Sequence, residues 1–140
     1  MFTYQRAMAV LPEIIELLKA AIEAKGARRK AEAAQVAYKK RLVMVGGAFP
    51  NQNRMAAYAD QAKTSYEAMK LAIDRVRDQG VEIRDLDQGM IDFPARYQNQ
   101  PVYLCFQLGE SAITHWHAAD EGIDGRKLID QAFIDQLDFS

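Results

Sequence analysis

With 140 residues, 49% of them apolar and 26% charged, the chain has the size and composition of one globular domain and is excluded from the disordered and fibrous classes. The net charge of −1 hides an asymmetry: residues 1–77 carry 14 Lys+Arg against 7 Asp+Glu, and residues 78–140 carry 4 against 12, so the two parts are expected to attract each other. Cys105 is the single cysteine, which excludes an internal disulfide and the paired cysteines of common zinc fingers; with no basic-then-apolar leader and no long uncharged apolar run, the expectation is a cytoplasmic protein without a membrane span.

Apolar residues recur in steps of three or four through Ala7, Leu11, Ile14, Leu18, Ala21, Ala24, Ala27, Ala31, Ala34, Tyr38, Leu42 and Val45, which predicts one long helix. Thr3 is its expected N-cap and Gly46-Gly47 its stop, while Pro12 predicts a kink or a short break at Val10 to Leu11. A second helix, capped by Asn51 or Asn53, carries the stripe Met55, Tyr58, Ala62, Tyr66, Met69, Ile73 and Val76 and ends at Gly80. A turn centred near Phe49 makes the helices an antiparallel pair, with Leu42 opposite Tyr58, Tyr38 opposite Ala62, and Ala27 and Ala31 at the closest approach. The pairing leaves Leu11, Ile14, Ile15, Leu17, Leu18 and Ile22 to be covered by the C-terminal module or by a second subunit, and self-association through this stripe is expected.

After Gly80 the pattern changes to short β-rich runs at residues 81–84, 90–93, 102–106 and 112–117. Turn signals at Asp87-Gln88-Gly89, Asn99-Gln100-Pro101 and Gly109-Glu110 separate them, so an antiparallel meander is the simplest topology. Ile129, Phe133 and Leu137 allow a short final helix. The expected class is therefore α+β, mainly α. It forms a single domain over 1–140, with a helical hairpin at 1–79, a β-rich module at 80–126 and a tail at 127–140.

The Phe2-Thr3 start with Leu11-Pro12-Glu13, Gly80-Val81, Asp85-Leu86-Asp87 and Gly89-Met90-Ile91-Asp92-Phe93-Pro94 together carry a resemblance to a known family. It continues through Leu104-Cys105, Leu108-Gly109-Glu110, Trp116-His117, Gly122 and Gly125-Arg126. The chain resembles the bacterial family called domain of unknown function 2203, with departures at Phe106, where a tryptophan is common, and at His115, where a bulky aromatic is common. The resemblance implies a helical hairpin with a β-rich C-terminal segment, and it implies no biochemical activity.

Strand alternation places His115 and His117 on one face and Thr114 and Trp116 on the other, so this pair would present two imidazoles to a metal. Asp92, Cys105, Asp87 and Glu110 are the residues able to complete such a site for zinc or another divalent metal. The plainer reading is two half-buried, hydrogen-bonded histidines. A thiol nucleophile at Cys105 with His117 as base, oriented by Glu110 or Asp92, lacks local support, because Val102-Tyr103-Leu104-Cys105-Phe106 is an apolar strand in which a buried cysteine is ordinary. Asp85-x-Asp87-x-Gly89 fails the calcium-loop register, since Met90 stands where glycine is needed and Arg96 where glutamate is needed. A tight acidic turn in which Asp87 and Asp92 accept backbone N–H groups is expected instead.

Lys25, Arg28, Arg29, Lys30, Lys39, Lys40 and Arg41 form a basic helical cluster. The acidic second half and the lack of an aromatic platform speak against nucleic acid as partner. Two functional readings follow. The first is a non-enzymatic interaction or scaffold protein, a homodimer with the hairpin as arm, open to a further protein partner. The alternative is a small-ligand- or metal-binding head, with enzyme activity conceivable, at Asp92, Cys105, Glu110, Trp116, His117 and Arg126, and the balance leans against an enzyme.

Overall fold

A computed structural model describes residues 1–47 and 49–137; residues 138–140, the end of the expected tail, lie outside the described residues. Helices α1 (Tyr4–Met44) and α2 (Gln52–Asp78) are followed by strands β1 (Glu82–Asp85), β2 (Met90–Tyr97), β3 (Gln100–Gln107), β4 (His115–Ala118) and β5 (Lys127–Leu128), a 3-10 turn at Ile123–Gly125, and the short helix α3 (Gln131–Gln136). This is the mainly helical α+β architecture that the sequence predicts. The chain forms two compact units, one from residues 1–19 with 73–140 and one from residues 20–72. No helix among the described residues is long and apolar enough to cross a membrane.

In the unit of residues 20–72 the two helices pack as an antiparallel pair. Asn51 caps α2 by accepting the Arg54 N–H at 3.1 Å, and its own N–H donates to the Tyr38 hydroxyl at 2.7 Å, which ties the α2 entry to α1. The Tyr38 and Tyr58 rings lie 6.0 Å apart, so the register differs by about one turn from the expected pairing of Tyr38 with Ala62. The reason is where the helices stop: Met44 and Gln52 are equidistant from residue 48, as are Tyr38 and Tyr58. In α2 the inward positions are Tyr58, Ala62, Ser65, Met69 and Ala72, alternating steps of four and three, and Tyr66 lies outside them with Arg28 over its ring at 4.6 Å. Ala31 is buried as expected, whereas Ala27 is exposed.

In the other unit, Thr3 caps α1 through the Arg6 N–H at 3.1 Å, and α1 is a continuous helix in which Pro12 is contained without a break. Five strands form an antiparallel sheet in the order β1-β2-β3-β4-β5. The β2–β3 hairpin turns on Gln98 and Asn99, both with positive φ, which matches the right-handed twist of the paired strands. At the first turn, Gly89 has φ +65°, and a Cβ there would stand 2.5 Å from Leu108 Cγ, so the position takes no side chain. Pro94 is tolerated within β2 because β1 begins only at Glu82, opposite Asp92, and so does not pair with Pro94, whose carbonyl instead accepts the Phe2 N–H at 2.7 Å.

Period-two alternation sorts the sheet into two faces. Ile91, Phe93 and Ala95 of β2 and Val102, Leu104 and Phe106 of β3 point inward and join Phe2, Ala7, Leu11, Ile14, Leu18, Val76, Phe133 and Leu137 in one core. Leu11, Ile14 and Leu18 are therefore covered within this unit, with Ile15 and Leu17 packed partly against the same core. Of the two covers that the sequence left open for this stripe, the C-terminal module is the one that packs on Leu11, Ile14 and Leu18.

Candidate functional site

The opposite sheet face carries the polar residues. Asp92 in β2 is the direct cross-strand partner of Cys105 in β3, and Tyr103 of β3 is the partner of His117 in β4. Alternation therefore brings Asp92, Cys105 and His117 to the same side, and all three are buried, with relative exposures of 4%, 6% and 5%. One donor atom from each lies within 4.8 Å of the other two.

Asp92 is the centre of this group. Its Oδ2 accepts from Arg84 Nε at 2.5 Å and lies 3.3 Å from His117 Nε2. The Arg84 guanidinium lies over the Tyr103 ring at 4.6 Å, and the Tyr103 ring is 5.5 Å from the His117 ring, so one aromatic ring backs both neighbours of Asp92. The hydrogen bond to Asp92 is the main influence raising the Arg84 pKa. Burial, and after it the neighbouring Asp92 carboxylate, push the Cys105 thiol far above its ordinary value, so in the free site it is a protonated thiol rather than a ready nucleophile.

His117 is fixed from behind. Its Nδ1 lies 2.8 Å from the Ala118 carbonyl oxygen, which can only accept, so Nδ1 carries the hydrogen. The Ala118 peptide is itself held: its N–H donates to Glu121 Oε1 at 3.1 Å, and its carbonyl accepts the Glu121 N–H at 3.0 Å. Lys127 Nζ reaches Glu121 Oε1 at 2.8 Å, and this contact, followed by the Ala118 N–H, holds the Glu121 carboxyl below the usual carboxylate range.

These groups open onto a cavity of about 320 Å³ whose wall includes Arg84, Met90, Asp92, Cys105, His117 and Arg126. Of the residues singled out from sequence, Asp92, Cys105, His117 and Arg126 come together here. Glu110 does not; it accepts the Gln107 N–H at 2.7 Å and closes the turn after β3. Trp116 faces the core side, stacked on Phe133 with ring centroids 4.5 Å apart. His115 has its Nδ1 2.9 Å from Thr114 Oγ1 and stands outside the three-residue cluster. Asp92 was expected to accept backbone N–H groups, and its carboxylate is taken instead by Arg84 and His117; the backbone-capping role falls to Asp85, which accepts the Gln88 N–H at 3.1 Å. Arg84 and Glu121 are the site residues that sequence reasoning missed. Arg84 stands two residues after Glu82, the cross-strand partner of Asp92, at the point where the β1–β2 register shifts, and that pairing leaves no mark in hydrophobic alternation.

The family model described as "Uncharacterized conserved protein (DUF2203)" matches residues 1–129. No curated protein and no solved structure matches the chain.

Proposed function

Starting from the premise that the chain belongs to the DUF2203 family, whose description names no activity, we propose that the protein is a small-ligand-binding protein with its site on the outer face of the sheet. The observation that carries this reading is the convergence of buried Asp92, Cys105 and His117 with Arg84 and Arg126 on one cavity of about 320 Å³. A cavity of this size is at the small end of metabolite pockets, and its mixture of an apolar wall with a few convergent polar groups is what such pockets share. Buried charges in a sheet whose other face already supplies the core add little to stability, which favours a binding role for them.

The ligand class that suits the wall is a small organic acid. Asp92 is paired with Arg84 and Glu121 with Lys127, whereas Arg126 has no hydrogen-bond or ion-pair partner among the described residues. Met90, intermediate in burial, offers the apolar contact for the rest of the molecule. Thermal-shift titration with benzoate, citrate and inorganic phosphate tests this: benzoate or citrate is expected to raise Tm saturably, and Arg126→Gln is expected to remove the shift. Absence of a saturable shift with both organic acids at millimolar concentration would sink the organic-acid assignment, and a shift with phosphate alone would make the site one for inorganic anions.

A second reading, self-association as a homodimer through the hairpin, is favoured by Val43, Met44, Val45 and Phe49, which are between 72% and 97% exposed close together in the chain. The alternating steps of four and three in α2 suit coiled-coil packing, and the lone thiol suits a reducing, cytoplasmic setting. Sedimentation velocity at micromolar concentration decides it, with Val43→Glu and Phe49→Glu expected to give monomer.

A further inference from the structure

His117 and Asp92 meet in a way that neutral side chains do not satisfy. Because Nδ1 carries the hydrogen that goes to the Ala118 carbonyl, a neutral His117 presents the Nε2 lone pair to Asp92 Oδ2 at 3.3 Å, acceptor against acceptor. Something positive has to stand between them, either a proton or a metal ion. Cys105, the third buried group, has its donor atom within 4.8 Å of both. From this juxtaposition we propose that Asp92, Cys105 and His117 form a three-ligand site for a divalent transition metal, best suited to zinc, with its remaining coordination position open to the cavity. The inference rests on the reading of this cavity as a binding site and names the ion that completes it.

The donor set fits the metal. One thiolate, one imidazole nitrogen and one carboxylate oxygen are the three ligand types that zinc accepts together, and three protein ligands with one open position are the arrangement of sites that bind a further molecule on the ion. Ligand atoms around tetrahedral zinc stand roughly 3.3 to 3.8 Å apart, given bond lengths of about 2.0 to 2.3 Å. The observed spread of up to 4.8 Å closes to that value by shifts of about an ångström in side chains that already share a sheet face.

The surroundings also match what a metal site needs beyond its ligands. An imidazole that binds through Nε2 is oriented by a backbone acceptor on Nδ1, here the Ala118 carbonyl held by Glu121, and the ligating carboxylate is hydrogen-bonded in turn, here to Arg84. His115 is not part of the site although it is the direct cross-strand partner of Cys105, since its ring is engaged with Thr114.

The test uses the full chain, purified without an affinity tag, stripped with a chelator and titrated with zinc or cobalt(II). One equivalent per chain is expected to bind, and the cobalt form is expected to show an intense near-ultraviolet thiolate-to-cobalt band. Cys105 is the single cysteine, so in the wild-type protein that band has one source and does not depend on a variant that folds. Cys105→Ser should abolish the band, His117→Ala and Asp92→Ala should weaken zinc binding by on the order of 100-fold or more, and His115→Ala should change neither. Wild-type protein that binds no stoichiometric zinc or cobalt, or binds cobalt without the thiolate band, overturns the metal site. The cavity's binding role would stand in that case if benzoate, citrate or phosphate still raised Tm, and fall with the metal if none did.

Discussion

Gly125 lies so close to Glu121 that a Cβ on it would stand 2.7 Å from Glu121 Oε2 and 3.0 Å from Glu121 Cβ. The Glu121 side chain cannot keep its place beside any larger residue there. Since Glu121 holds the Ala118 peptide on which His117 is oriented, Gly125 is connected to the site through two hydrogen bonds while not lining it. Gly125→Ala is therefore expected to weaken ligand or zinc binding by roughly 10-fold, in the range of losses that follow from disturbing groups behind a binding residue, with folding largely retained. Titration of the variant alongside Glu121→Gln checks this, because both should show the same loss; an unaltered affinity in both would disconnect the clamp from the site.

Asp92→Ala removes the shared partner of a buried histidine and a half-exposed arginine. Leaving such groups unpaired costs about 2 to 4 kcal/mol, and the partial exposure of Arg84 places the expectation at the lower end of that range. Asp92→Asn, which keeps the shape and some hydrogen bonding, should cost less. Urea unfolding of the metal-free proteins measures both, and equal losses would show that the carboxylate charge does not matter.

In the metal-free protein the Cys105 thiol titrates well above its ordinary value of 9.0 because of burial and the Asp92 carboxylate. The folded state then keeps its proton where the unfolded state loses it, so this group leaves stability unchanged at neutral pH and lowers it progressively as pH rises beyond about 9. The same protonation makes the native thiol a poor nucleophile. Iodoacetamide at pH 8 is expected to modify Cys105 far more slowly in native than in urea-unfolded protein, and equal rates would contradict the burial.

The hairpin gives a paired expectation. Ala31 is buried in the seam, so Ala31→Leu should overpack it at a cost of about 1 to 3 kcal/mol, while Ala27 is exposed and Ala27→Leu should change stability by less than about 0.5 kcal/mol. Denaturant midpoints distinguish them, and equal effects would place the seam elsewhere.

The sequence made the elements legible where one face had to be buried. Leu11, Ile14 and Leu18 at helical spacing, and Val102, Leu104 and Phe106 at strand spacing, announce an inward face whatever they pack against. Thr3 was readable as a cap, and the second cap as Asn51 or Asn53, because the hydrogen bonds that caps make are local. The pairing of Tyr38 with Tyr58 was not, since small residues such as Ala27 and Ala34 fit several registers almost equally well and the choice is made by the length of the connection. At the site, Asp92, Cys105 and His117 could be named as polar groups in apolar strands, whereas their grouping depended on the β2–β3 and β3–β4 registers. Glu110 closes a turn, which its place after β3 did not announce, while Trp116 sits on the side of its strand that alternation already gave it, away from His117.

The division of the sheet into an apolar face and a polar one has a consequence for how the molecule fails. The two faces differ only by the parity of residue numbers along β2 and β3, so a slip of one residue in that hairpin would turn Asp92 and Cys105 toward Leu18 and bring Phe93 and Leu104 out to solvent. Such a molecule would lose its oily interior and its binding residues in a single event. The tight turn at Gln98 and Asn99 thus acts as a proofreader, and a population of chains that is folded but inactive through misalignment should not accumulate.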